Sequence, residues 1–101
     1  MTKHVIETVT FKLNEGVSRE QFSASAQSMN DFVTARPGFI SRRLSCGEDG
    51  AWIEHIEWET MEAAKGAAAA LGAVETNRPF LSAIDGSTVK MHHTELEVSV
   101  N

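Results

Sequence analysis

From His4 to Leu13 the chain alternates. Val5, Val9, Phe11 and Leu13 share one parity and β-branched residues fill much of the rest, which predicts a strand. Asn14, Glu15 and Gly16 form a turn signal, and the period then changes. Phe22, Ala26, Met29 and Val33 lie three or four apart, giving a helix one apolar stripe. Ser18 caps that helix, Gln21 completes a capping box, and Val17 and Phe22 are placed for a hydrophobic staple. Arg36, Pro37 and Gly38 stop it. Alternation resumes from Phe39 to Cys46, Gly47 to Gly50 makes a hairpin turn, and a third strand returns to Trp58. Thr60 caps a second helix built almost wholly of small residues, with Glu62 in its first turn and Gly72 at its end. Residues 73–85 are less regular; Asn77 is placed to cap a short helical turn carrying Phe80, Leu81 and Ile84, folded back as a lid. Gly86 opens a last strand that runs to about Val98.

The element order is βαββαβ, which predicts an α+β, ferredoxin-like fold: a four-stranded antiparallel sheet with helices on one face, in a single domain over residues 1–101. Crossover handedness places the first strand between the third and the last, with the first and third expected to run parallel. Ile6, Thr8, Ile40, Leu44, Ile53, Leu96 and Val98 then point to the sheet face that no helix covers. So apolar a face is best buried against its own copy, so a homodimer is expected and the fold becomes a dimeric α+β barrel.

Composition narrows the function classes. The chain has 101 residues, a formal net charge of −5 and scattered basic residues, of which only Arg42 and Arg43 are adjacent. Nucleic acid and anionic membrane surfaces both require a concentrated basic patch, so neither is an expected partner. No apolar run approaches a membrane span, and the start of the chain lacks the layout of a signal peptide. A single cysteine, Cys46, suits a reducing cytoplasm and reads as a small apolar strand residue.

Chemistry concentrates on the face towards the helices. Alternation groups Glu7 with Val9 and Phe11, Glu54 with Trp52, Ile56 and Trp58, and His93 with Val89 and Met91. Parallel first and third strands put Glu7 and Glu54 at similar heights, and an antiparallel last strand brings His93 to Glu7. A hairpin of odd register sets Arg43 opposite Glu54; a register one residue different exchanges Arg43 for Arg42. Charges in an apolar layer are costly unless paired, so the cluster has two readings. In one it is a closed polar network. In the other it binds a ligand: Glu54 and His93 act as acid and base, Glu7 orients His93, and Arg43 keeps Glu54 charged. Trp58 then stacks on a planar organic substrate, with Trp52 the weaker candidate of the two tryptophans for ligand contact. A metal held by Glu7, Glu54 and His93 is not expected, because Arg43 would repel a cation and no local ligand spacing is present. His4, His55 and His92 read as surface residues, and Arg78 as solvated surface or an anion contact at the pocket mouth. No phosphate loop, nucleophile motif or paired-cysteine site occurs.

Three segments carry a family resemblance: Arg36 to Phe39 after the first helix, Trp58 to Ala64 after the third strand, and Ser87 to His93 in the last strand. Together with the element order they resemble the antibiotic-biosynthesis-monooxygenase-type members of the dimeric α+β barrel superfamily. The resemblance implies a dimer with one cavity per protomer between sheet and helices. It implies oxidation of aromatic substrates by dioxygen without a cofactor, the substrate carbanion being the reductant. Trp58 matches a tryptophan of such enzymes, whereas Glu54 stands where they carry an asparagine. The helix histidine that ligates haem in a related branch is absent, since Gly66 to Ala70 occupies that stretch. Lyases, isomerases and cyclases of the superfamily use a histidine and a carboxylate for proton transfer, and Glu7, Glu54 and His93 suit that chemistry as well.

Overall fold

The computed structural model describes residues 3–100. The first strand, β1 (Val5–Leu13), buries Val5, Glu7 and Phe11 on one side. Ser18 then accepts a hydrogen bond from the Gln21 amide while the Gln21 side chain accepts one from the Ser18 amide. This closes the expected capping box at the head of α1 (Arg19–Ala26). The long helix expected from the apolar stripe is in fact two, because α2 (Ser28–Thr34) begins after a break at Gln27. Ser25 and Ser28 donate their hydroxyls back to the carbonyls of Phe22 and Ser25, competing with the helical ladder at the joint. The stripe survives the break, with Phe22, Ala26, Met29 and Val33 all buried.

The sheet holds β2 (Phe39–Cys46), β3 (Trp52–Trp58), β1 and β4 (Ile84–Glu95) side by side in that order. Every pairing is antiparallel. The expectation of parallel β1 and β3 is therefore overturned: Val5 faces Trp58 and Phe11 faces Trp52. The crossover returns β2 in the direction of β1, and the hairpin then reverses β3 into the space between them. In consequence Glu7 lies opposite Ile56 and Glu54 opposite Val9, so the two carboxylates are diagonal neighbours rather than level ones.

The second correction concerns β2. The hairpin closes with Cys46 opposite Trp52, which puts Arg42 and Leu44 on the helix side and sends Arg43 to the outer face opposite His55. An irregularity between Phe39 and Ser41 absorbs one residue, so Phe39 still meets Trp58 on the inner side. Leu44 thus leaves the outer face, where Arg43 and Ser45 stand instead. Leu96 and Val98 follow the end of β4, and Val98 is 81% exposed. The uncovered face, with Thr8, Thr10, His55 and His92 beside Ile6 and Ile53, is more polar than its pattern suggested.

Thr60 caps α3 (Met61–Ala70) by accepting from the Ala63 amide, and Ala64 and Ala67 pack inward. Gly38 makes the close approach of this helix possible. Its φ is +81°, and a β-carbon there would sit 2.7 Å from that of Ala63. The chain continues from α3 through two short 3-10 turns, Leu71–Ala73 and Glu75–Asn77, into α4 (Arg78–Ser82). Asn77 does not cap α4 with its side chain. It is fully buried and donates to the Leu71 carbonyl instead, pinning one turn to the other. Ile84 belongs to β4, not to the helical turn. Asn14, expected only as a turn residue, donates to the carbonyls of Ser82 and Ile84 and so anchors the α4–β4 junction.

The core is aromatic at its centre. Phe22 lies edge-on to Trp52 at 4.8 Å and stacks on Phe80 at 4.9 Å, while Phe11 meets both phenyl rings edge-on. No helix among the described residues is long and apolar enough to cross a membrane.

Candidate active site

Strict alternation along β3 turns Trp52, Glu54, Ile56 and Trp58 towards the helices, and the same parity on β1 turns Glu7 inward. Between this part of the sheet and α4 lies a cavity of about 240 Å3. Val9, Phe11 and Ile56 form its floor, Leu71, Phe80 and Leu81 its roof, and Val89 and Met91 line it from β4. The latter two are 40% and 45% exposed, so the cavity opens at the β4 edge, which the helices leave uncovered. Among the described residues, Glu7 and Glu54 are the only ionisable side chains in its wall.

These two carboxyl groups are held differently. Glu54 receives a two-point fork from Arg42, Nε to Oε2 at 2.9 Å and Nη2 to Oε1 at 2.8 Å. The remaining guanidinium nitrogen, Nη1, donates to the Ala26 carbonyl and to Asn30 Oδ1, and the group lies 5.7 Å from the Phe80 ring centre. A buried ion pair survives only with such geometry and with its other donors satisfied. Glu7 has no cation of this kind. Trp58 Nε1 donates to its Oε1 at 3.0 Å, and His93 Nε2 stands 3.8 Å from the same oxygen, beyond hydrogen-bond range. Burial raises the Glu7 carboxyl above the usual glutamate range, and the charge of Glu54 adds to the rise; the Trp58 bond and His93 oppose it.

The sequence-expected residues divide accordingly. Glu7, Glu54 and His93 come together, the last through direct pairing of His93 with Glu7 across β1 and β4. Arg43 does not join them, because the hairpin register gives its place to Arg42. Trp58 is 1% exposed and bonds Glu7 from within the core, and Trp52 packs on Phe22; neither lines the cavity. Arg78 is exposed and contributes nothing to the wall. Asn30 had no signal in the sequence beyond its place one turn after Ala26. His93 Nε2 is buried without a hydrogen-bond partner, a vacant donor or acceptor beside Glu7. Among the described residues no group of three or more His, Cys, Asp or Glu is arranged to hold a metal ion.

No protein-family model matches the chain, and no curated protein matches it. Solved structures do. A mutant form of SnoaB, a cofactor-independent oxygenase from Streptomyces nogalater, superposes with a TM-score of 0.78 over 98% of both chains at 15% identity. A monooxygenase from Streptomyces coelicolor, in complex with nanaomycin D, gives 0.72 over 98% of this chain and 92% of that one at 18% identity. The hydroxynitrile lyase of Passiflora edulis gives 0.73 over the whole of both chains at 10% identity. At these identities the likeness is one of fold.

Proposed function

For a chain with the fold of the antibiotic-biosynthesis-monooxygenase-like proteins, we propose an enzyme that takes a proton from a small planar organic substrate, with Glu7 as the acceptor. The observation that carries this is the setting of Glu7: a carboxyl group 7% exposed, with no cationic partner in hydrogen-bond range, in the wall of a cavity that is apolar apart from the already paired Glu54. Desolvation makes such a carboxylate a stronger base than one in water, which is what proton abstraction from carbon or a weakly acidic hydroxyl demands. Glu54 is the less suitable base, since the Arg42 fork occupies both its oxygens. The roles expected from sequence are therefore exchanged: Glu54 sets the local field, and Glu7 moves the proton. Trp58 orients Glu7 through its indole hydrogen bond, and His93 stands behind Glu7 with its Nε2 buried, outside the cavity wall.

Cavity size limits the substrate. About 240 Å3 lies below the roughly 300 Å3 at which sites for drug-sized ligands begin, which favours a small substrate of one or two rings. The oxygenase neighbours favour dioxygen as the second reactant. Removal of one proton leaves a carbanion whose electrons reduce dioxygen, and overall a methylene and dioxygen become a carbonyl and water. This route uses the substrate as reductant and needs no cofactor.

2-Tetralone, two fused rings with an acidic methylene, is a suitable probe. Incubation in deuterium oxide without oxygen reads proton abstraction, and oxygen uptake in air reads the second step. Exchange at C1 that disappears in Glu7→Gln supports Glu7 as the base; exchange unchanged in that variant overturns it. Exchange without oxygen uptake makes the protein a proton-transfer enzyme instead. A homodimer in the cytoplasm remains our expectation, supported by the sheet face that no helix covers; a monomeric mass in dilute solution refutes the dimer.

A further inference from the structure

β4 does not keep step with β1 along its whole length. Thr10 faces Lys90 and Lys12 faces Asp85, so the residues from Gly86 to Val89 stand against Phe11 alone. Side chains fix this bulge. Asp85 Oδ1 accepts from the Ser87 amide at 3.0 Å and from its hydroxyl at 2.7 Å, and the Thr88 hydroxyl donates to the Asp85 carbonyl at 2.7 Å. Thr88 Oγ1 also accepts from the Lys12 amide at 2.8 Å, where a regular ladder would offer a carbonyl.

The bulge decides what β4 presents to the cavity. Ile84, level with Leu13, lines the wall; Asp85 does not, and Gly86 does. Ser87 and Thr88 are taken up by the bulge, after which Val89 and Met91 resume the lining. Among the described residues, Gly86 is the one position of the wall that brings no side chain. Neither usual structural reason for a glycine holds there. Its φ is not left-handed, and a β-carbon would have nothing within 4 Å beyond its own chain neighbours. What the glycine supplies is a gap between Ile84 and Val89. The gap lies opposite Phe11, about 14 Å along β1 from Glu7 at roughly 3.4 Å per residue.

We propose that Gly86 is the specificity-determining residue of this site: the gap receives the outer ring of a fused two-ring substrate whose acidic methylene lies at Glu7. The assignment rests on the proton-abstraction reading above and adds to it the residue that sets how long a substrate can be. A single ring at Glu7 leaves the Phe11 end of the cavity empty, whereas a second fused ring extends towards it. Phe11, Phe80, Ile84 and Val89 at that end bring no hydrogen-bonding side chain, which suits an uncharged hydrocarbon ring.

Two ketones test this, since 2-tetralone carries the second ring and cyclohexanone lacks it. Gly86→Val places a side chain well suited to a strand in the gap. By calorimetry the Kd for 2-tetralone should rise about tenfold or more, the usual consequence of overfilling a packed site. The kcat/KM for anaerobic deuterium exchange on 2-tetralone, divided by that on cyclohexanone, should fall by a similar factor. Gly86→Ala should move both readings the same way by less, so the test holds even if valine disturbs the strand. A Kd and a ratio unchanged in both variants overturn the proposal, and so does a wild-type protein that does not bind 2-tetralone. Affinity requires no chemistry. A wild type that binds 2-tetralone without exchanging it therefore refutes Glu7 as the base, while the Kd of the variants still decides the role of Gly86.

Discussion

Arg42 grips Glu54 through two parallel hydrogen bonds, Nε to Oε2 and Nη2 to Oε1, with both side chains only 7% exposed. The pair joins the edge strand β2 to the buried strand β3, and Arg42 carries the link on to α1 and α2 through Ala26 and Asn30. Removing one member strands the other charge in the core. Arg42→Met should therefore cost about 3–5 kcal/mol in urea unfolding, whereas Arg42→Met combined with Glu54→Leu should recover most of that loss. A double variant no more stable than the single one would show that the packing of the guanidinium on Phe80, not the charge, is what matters.

The raised Glu7 carboxyl gives folding stability a defined pH dependence. Its folded pKa lies above the ordinary value of 4.5, so the folded state binds the proton more tightly than the unfolded one. The associated stability is complete below that ordinary value and is lost as pH rises through the folded pKa. Glu7→Gln should remove this dependence, being relatively more stable than wild type at neutral pH and relatively less so in acid. Parallel unfolding curves for the two proteins across that range would contradict the assignment.

Trp58 acts on Glu7 in the opposite direction, since its indole hydrogen bond favours the ionised carboxylate. Trp58→Phe keeps an aromatic ring but deletes the donor. The acidic limb of the 2-tetralone exchange profile should then move to higher pH, at a stability cost of roughly 1–3 kcal/mol for the acceptor left bare. A profile that keeps its acidic limb while stability falls would confine Trp58 to packing.

Gly38 tests the contact between β2 and α3. With φ at +81° and a β-carbon due 2.7 Å from that of Ala63, Gly38→Ala meets both backbone strain and a clash. The cost should be roughly 2–4 kcal/mol by thermal or urea unfolding. Adding Ala63→Gly should return the part due to the clash and leave the part due to φ.

The pattern of apolar positions carried the element order and most of the core, because alternation and a helical stripe are local properties of the chain. Ser18 with Gln21 and Thr60 with Ala63 were legible for the same reason. Pairing across strands was legible only where one register satisfied both faces, as with His93 against Glu7. It failed on β2, where Arg42 and Arg43 are chemically alike and adjacent, and the hairpin geometry alone decides which of them turns inward. The direction of β1 against β3 required following the path through the hairpin, and the diagonal offset of Glu7 and Glu54 came with it. Asn14 and Asn77 gave no signal for their tertiary bonds, since a side-chain amide that ties two distant carbonyls looks in sequence like any turn asparagine.

Glu7 rides on β1, a strand laddered to a neighbour on either side and therefore among the last parts of the molecule to open. The roof over it is the reverse: 3-10 turns and a helix of five residues, tied down by a few side chains. Glu7 thus rides on a segment expected to open late, beneath a roof expected to open earlier. Changes at Leu71, Phe80 or Leu81 should reshape the cavity from above without moving Glu7, which the ladder of β1 holds in place. The roof and the buried carboxyl group therefore sit in separate stretches of the chain, and a sequence change can touch one while leaving the other in place.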